Sequence, residues 1–213
     1  MAGPRPVGFD ATGVREAYAA AGDDLVVLAE QVSADAWDDP ALGDWTVRDL
    51  LGHTTRSFVT VTDYLVSGAG RTVELGHPFD YAAVFAMAHA DPAAITERGR
   101  AAGRELGDAP VEEVRRRRDA ALAAVAGHPD DAPVDTPAGV MRLADYLPTR
   151  VFELVVHGDD LARAIGVEPP ADVAARTVAT TFASGLAAEA SGAWSVLRAL
   201  TGRGGLAAGF TVL

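Results

Sequence analysis

Apolar residues recur at helical spacing along the chain, and no segment alternates apolar and polar residues as a half-buried strand does. In the first such segment, the apolar positions include Val14, Tyr18, Leu25, Leu28 and Val32. A helix with one apolar stripe has to bury that stripe against another helix. The 213-residue chain is therefore expected to form an all-α bundle.

Capping residues, prolines and glycines set the expected helix boundaries. Residues 128–137 are expected to form a polar, proline-rich loop, and residues 210–213 a short extended tail. The expected helices run from Asp10 or Thr12 to about Ser33, Thr46 to Gly68, about Asp80 to Leu106 with a break at Asp91–Pro92, Pro110 to about Ala126, Leu143 or Pro148 to Ile165, Asp172 to about Ala190, and Ala193 to Leu200.

The composition removes several kinds of chemistry. The chain has no cysteine, and all 18 of its basic residues are arginine. It therefore has no disulfide, no thiolate nucleophile and no cysteine-ligated metal. It also has no Schiff-base or P-loop lysine. Any thiol chemistry would need a thiol from a second molecule.

Net charge argues against polyanionic partners. The formal charge is −12, which disfavours nucleic acid and anionic membrane surfaces. The arginine run 115–118 lies among acidic residues, which favours an ion-paired helix face. No apolar segment is typical of a secretory signal or of a membrane span, so we expect a soluble cytoplasmic protein. Either a monomer or a homodimer is compatible with the sequence.

Two helices carry residues that could bind a metal. Glu153 and His157 are four residues apart, which places them on one face of a helix within reach of one cation. A hydrogen bond between the two would explain the same spacing. His53 lies mid-helix among apolar residues, so a bundle could bring it to the same place. Such a His/Glu/His set leaves one coordination position open, as in catalytic zinc sites.

The other three histidines fit positions without a metal. His77 and His128 each precede a proline in a loop, where an exposed turn residue is expected. His89 lies just before the Asp91–Pro92 break, where a histidine suits a helix end.

Two segments resemble one known family. Residues 45–53 have the sequence WTVRDLLGH, and residues 150–162 have the sequence RVFELVVHGDDLA. Both resemble signatures of the mycothiol-dependent maleylpyruvate isomerase family, within the DinB/YfiT-like metalloprotein superfamily. The ending, from Leu200-Thr201-Gly202-Arg203 to Phe210-Thr211-Val212-Leu213, is similar to that of short members.

The resemblance implies a DinB-like bundle with a four-helix core and extra C-terminal helices. It places the family's metal ligands on His53, Glu153 and His157, with a divalent metal that is usually zinc. It also implies mycothiol as thiol co-substrate. We expect residues 1–166 to form the metal-binding bundle and residues 167–213 a helical extension packed on it.

Helical geometry suggests further residues near the metal or the substrate. An aspartate could hold a ligand imidazole, and an arginine could bind a substrate carboxylate. Ordinary intrahelical ion pairs would explain the same placements. The candidates are Asp49, Arg56, Tyr146, Arg150, Asp160 and Arg203.

The expected activity is metal-dependent thiol chemistry on a small, acidic electrophile. Thiolate addition gives a conjugate, whereas addition, rotation and elimination give cis–trans isomerisation, so a transferase and an isomerase share a first step. One alternative is a metal hydrolase that uses activated water at the same site. Another is a non-catalytic small-molecule-binding or resistance protein.

Overall fold

The protein is an all-α helical bundle, as the sequence predicts. The computed structural model describes residues 8–81, 92–170, 172–190 and 192–212. Residues 82–91 of the expected helical segment, which include His89 and Asp91 of the expected break, lie outside these residues, and the helix that follows begins at Pro92. The helices are α1 (Ala11–Gln31), α2 (Val47–Gly68), α3 (Pro92–Arg104), α4 (Pro110–Ala126), α5 (Leu143–Ile165), α6 (Val173–Glu189) and α7 (Ala193–Leu200).

The helix termini follow local capping chemistry. The Asp10 carboxylate caps α1 by accepting a hydrogen bond from Gly13 N at 2.7 Å. Thr46 and Asp49 form a reciprocal capping box at the start of α2. Gly166 ends α5 with φ 71° and ψ 33°, a left-handed conformation that glycine adopts without a Cβ clash. Each of these boundaries lies within about two residues of the expected one.

Four helices enclose the main core. Helices α1, α2 and α5 contribute most of its largest fully buried side chains, α4 adds Val114, Ala121 and Val125, and α3 packs along α2. Helix α6 packs on α5 and α1, and α7 packs on α6. A smaller aromatic cluster surrounds Phe182 on α6, where Phe152, Phe79 and the tail residue Val212 meet. The buried members that define the main core include Tyr18, Leu25, Phe58, Leu147 and Leu161.

Two short hairpins correct the expectation that the chain has no strand. Strands β1 (Pro40–Leu42) and β2 (Trp45–Thr46) pair just before α2. Strands β3 (Pro133–Thr136) and β4 (Gly139–Arg142) pair inside and after the segment expected to be a loop. Strands of two to four residues are too short to produce a periodic pattern, so periodicity does not predict them.

Helix α5 begins at Leu143 rather than at Pro148. Its first turn is fixed from outside, because Leu143 N donates to Ala132 O at 2.8 Å and Ala144 N donates to Asp130 O at 3.0 Å. Pro148 is therefore accommodated inside the helix, where it removes one backbone donor.

The arginine run 115–118 forms the ion pairs expected from its acidic neighbours. Arg115, for example, pairs with Glu30 of α1 at 2.6 Å. Arg117 also forms an ion pair, with Glu113 at 2.6 Å, but its side chain is only 7% exposed and also donates to Thr55 Oγ1 at 3.1 Å. Among the described helices, none has the length and apolarity that crossing a bilayer requires.

Candidate metal centre

His53, Glu153 and His157 come together between α2 and α5. One potential ligand atom from each lies within 4.8 Å of the others. Nε2 of His157 is 3.4 Å from Glu153 Oε2, and the two imidazole rings are 5.0 Å apart in an edge-to-face arrangement. Two nitrogens and one carboxylate oxygen form a donor set that suits a divalent transition metal such as zinc.

Asp160 fixes the orientation of His157. Its Oδ2 lies 3.2 Å from His157 Nδ1, which leaves Nε2 directed to Glu153. In metal sites a ligand histidine commonly donates its second ring N–H to a carboxylate in this way. The spacing of residues 153, 157 and 160 on one helix face is what makes both contacts possible.

His53 packs against an aromatic ring. Its ring lies 4.5 Å from the Trp45 ring, and its buried Nδ1 has no hydrogen-bond partner in the described part of the chain. Trp45 is itself fixed by a hydrogen bond from its Nε1 to Thr96 O on α3, at 2.9 Å. A buried imidazole nitrogen without a partner is costly, and a bound cation would satisfy it. The residues present therefore fit a metal ion.

The three side chains hold different charges at neutral pH. Burial, reinforced by the charge of His157, lowers the pKa of His53 to about 4, so this ring is neutral. Burial opposes ionisation of Glu153, but the hydrogen bond to His157 and the charge of Arg150 lower its pKa to about 2. Burial also disfavours the charged form of His157, yet hydrogen bonds to Asp160 and Glu153 raise its pKa to about 9.

These pKa values give a pH dependence for metal binding. At pH 7 metal must displace the proton of His157, so we expect about one proton to be released per ion bound. Apparent affinity should rise about tenfold per pH unit between roughly pH 6 and 8, and level off above about pH 9. Calorimetric titration in buffers of different ionisation enthalpy measures the proton count. A pH-independent affinity would contradict the pairing of His157 with two carboxylates.

The same raised pKa has a consequence for the metal-free fold. The folded pKa of about 9 lies above the ordinary 6.5, so the contacts of protonated His157 stabilise the metal-free fold fully below pH 6.5. This stabilisation is lost as pH rises through 9.

Asp160→Asn tests the orienting hydrogen bond. The amide cannot stabilise the same imidazole tautomer as a carboxylate does, so we expect metal affinity to fall about 10- to 100-fold with the fold retained. Competition with a chromogenic chelator measures this loss. Asp159→Asn is the matched control, because Asp159 pairs with Arg163 at 2.6 Å and should leave affinity unchanged. Equal affinities for the two variants would show that Asp160 does not act on His157.

The structure places the other candidate residues in several environments. Arg56 is half-buried on α2 and close enough to His53 to lower its pKa, as a minor contribution after burial. Asp49 accepts a hydrogen bond from Thr46 N at 3.2 Å in the capping box. Arg203 is exposed after α7 and donates to Thr201 O at 3.0 Å. The described contacts of Asp49 and Arg203 thus do not involve the three clustered residues.

Arg150 and Tyr146 lie deeper than the cluster. The Arg150 guanidinium lies over the rings of Tyr146 and Tyr81, at 4.9 and 5.5 Å from their centroids. The hydroxyl of Tyr146 donates to Thr60 Oγ1 at 2.9 Å, and burial raises the Tyr146 pKa.

Sequence reasoning missed Trp45 as a partner of His53, although Trp45 begins the first signature segment. His53 follows Trp45 by eight positions, and the change of direction from β2 into α2 brings the two side chains together.

These features define a class: a helical-bundle protein whose facing helices present a His/Glu/His cluster suited to a divalent metal. Residues 18–162 match the family described as mycothiol maleylpyruvate isomerase N-terminal domain. The match covers more than half of the chain, and the chain belongs to this family. Searches of curated proteins and of solved structures gave no match.

Proposed function

We propose that this protein is a divalent-metal enzyme that uses mycothiol to attack a small, acidic electrophile. The observation that carries the proposal is the cluster of one glutamate and two histidine ligand atoms within 4.8 Å, in a chain of a family described by mycothiol and maleylpyruvate isomerase. His53, Glu153 and His157 would hold the metal, and zinc is the ion we favour. A metal ion held there would supply a Lewis acid that lowers the pKa of a thiol.

The protein's own residues set the conditions for this chemistry. Asp160 and Glu153 hold the His157 ring by its two nitrogens, and Trp45 packs against the ring of His53. The rings of His157 and His53 are therefore oriented before a metal ion or a thiol binds, which reduces the reorganisation that binding requires. The absence of cysteine means that the reacting sulfur comes from the co-substrate.

Arg150 supports an acidic substrate. Its side chain is 8% exposed, and among the described residues no carboxylate lies within 4.0 Å of it. Its Nε donates to Thr149 Oγ1 at 3.0 Å and one terminal nitrogen reaches Tyr81 at 3.5 Å, whereas Nη1 has no such partner there. Glu153 is close enough for the two charges to stabilise each other, but no carboxylate among the described residues is in ion-pair contact, so the buried guanidinium can still pair with an anionic ligand. We propose that Arg150 binds the substrate's acid group.

The organisation of the chain is part of the proposal. We assign residues 1–166 to the metal-binding bundle and residues 167–213 to a helical extension packed on it. The packing of α6 on α1 and α5 supports this division.

The decisive experiment combines binding and turnover. We expect mycothiol to raise the melting temperature of zinc-loaded protein and to leave metal-free protein unchanged. We then expect zinc-loaded protein with mycothiol and a cis α,β-unsaturated acid to give either the thiol adduct or the trans acid, and Glu153→Gln to give neither. Metal-dependent hydrolysis of an ester or amide without thiol would instead support a hydrolase, and binding of neither thiol nor metal would refute the proposal.

A further inference from the structure

A cavity lies along α5, next to the His/Glu/His cluster. It has a volume of about 390 Å³ and lies between α1, α5 and α6. Val155 and Gly158 form part of its α5 wall, whereas His53, Glu153 and His157 are not among its lining residues. At about 100° per residue, Val155 is about 200° around the helix from Glu153, whereas Asp160, which orients His157, also lines the cavity. The cavity therefore includes none of the three clustered residues and adjoins the candidate metal centre through Asp160.

Small residues and prolines create this cavity. Gly158 has no side chain, and a Cβ placed there would have Leu28 Cδ1 as its nearest neighbour at 3.7 Å. Ala21 and Ala175 line the same space, and the Pro169–Pro170 turn between α5 and α6 limits it at one end. The remaining apolar wall consists of Leu25, Leu28, Leu154, Val155 and Val156. The volume and the apolar lining are typical of a site for a small molecule.

The charged side chains at the rim are not equivalent. Asp159 pairs with Arg163 at 2.6 Å, and Asp160 is used by His157. Arg176 donates from its Nε to Asp172 O at 3.2 Å. Asp24 is half-buried, and among the described residues no arginine nitrogen lies within 4.0 Å of its carboxylate. Asp24 is thus the rim acid that has no ion-pair partner there.

The surroundings of Asp24 favour a positive ligand. Burial raises the pKa of this carboxyl group, and the nearby Asp172 carboxylate raises it further. A hydrogen bond with the Asp172 backbone and the charge of Arg176 oppose this shift less strongly. A cation placed beside Asp24 would relieve the repulsion between two carboxylates, and an apolar body would fill the pocket behind it.

We propose that the pocket between α1, α5 and α6 binds a small amine with an apolar body, its ammonium group on Asp24 and its body against Leu25, Leu28 and Val155. The proposal does not rest on the proposed thiol chemistry. The ligand class follows from charge complementarity at the rim and from the apolar walls.

Three matched probes test the proposal on the zinc-loaded full chain: 4-phenylbutylamine, 4-phenylbutanol and 4-phenylbutyrate. We expect the amine to bind at least about tenfold more tightly than the alcohol, and the carboxylate more weakly than either. Methyl NMR shifts should locate the bound amine at Leu25, Leu28 and Val155. Equal binding of all three probes, or binding of none, would overturn the proposal.

Two single substitutions test whether the Asp24 carboxylate itself selects the amine. Asp24→Asn should remove the preference for the amine over the alcohol, whereas Glu16→Gln, an exposed acid on the same helix, should preserve it. Because an amine can also coordinate zinc, the titration is repeated after chelation of the metal. Unchanged binding supports the pocket, and loss of binding with the metal would overturn it. Retention of the amine preference in Asp24→Asn would also refute the proposal.

Discussion

Replacing Glu153 by glutamine is expected to reduce metal affinity more than about 100-fold. Wild-type protein should retain about one ion per chain after gel filtration, and the variant should retain none. Glutamine keeps the size of the side chain but removes the only carboxylate of the three-residue cluster. It also removes the negative charge that would offset the divalent cation, so metal binding would leave an uncompensated charge in a half-buried site. Elemental analysis of purified protein measures the retained ion.

A parallel change tests the other helix. His53→Ala should cause a loss similar to that of Glu153→Gln, because α2 contributes no other ligand to the cluster. Glu112→Gln and His128→Ala are the controls, since both residues are exposed, and each should retain about one ion per chain. Full metal content in Glu153→Gln, with the controls unchanged, would show that the cluster is only a hydrogen-bonded pair beside a buried histidine.

Replacing Gly52 by alanine is expected to destabilise the protein by about 3 kcal/mol. Gly52 lies where α2 and α3 touch backbone to backbone. A Cβ at this position would be 2.6 Å from Ala102 O and closer still to Gly103 N, so α3 would have to move away. The greater helix propensity of alanine, worth about 1 kcal/mol, offsets only part of this. Urea unfolding followed by tryptophan fluorescence measures the free energy of unfolding.

The control for this effect is another glycine in open space. Gly76 has no atom within 4 Å of an added Cβ and no left-handed backbone conformation, so Gly76→Ala should change stability by less than about 0.5 kcal/mol. Because Gly52 precedes His53, its substitution should also weaken metal binding. Equal stability of the two variants would contradict the close approach of α2 and α3.

The sequence predicts the helices well because capping and periodicity are local. Pro110 and Gly166 determine helix ends through interactions within a few residues, and the structure has α4 begin and α5 end where these residues indicate. The strands of the β1–β2 and β3–β4 hairpins are too short to show a periodic pattern in the sequence. The start of α5 depends on hydrogen bonds to the loop after α4, which no pattern within α5 contains.

The residues of the candidate site can be predicted from the sequence, but the contacts around them cannot. Residue types, spacing and apolar surroundings suggest Glu153 with His157 and a candidate third ligand in His53, and the family resemblance assigns the metal to the same three residues. Neither source indicates that Trp45 packs on His53, or that Arg150 lies over two tyrosine rings. These contacts join residues from different elements, so they follow from tertiary packing. The pocket beside Asp24 likewise forms where α1 meets α5 and α6, which lie far from α1 in the sequence.

The sequence separation of the clustered residues links metal supply to chain folding. His53 and Glu153 are separated by 100 positions (153 − 53), so a shared ion would act as a reversible cross-link that closes a long loop. In the unfolded chain the two helices are not held together, and the ion would bind the folded state preferentially. Each tenfold rise in free metal above the dissociation constant would then add about 1.4 kcal/mol to the free energy of unfolding. The melting temperature would therefore report the free metal concentration to which the protein is exposed.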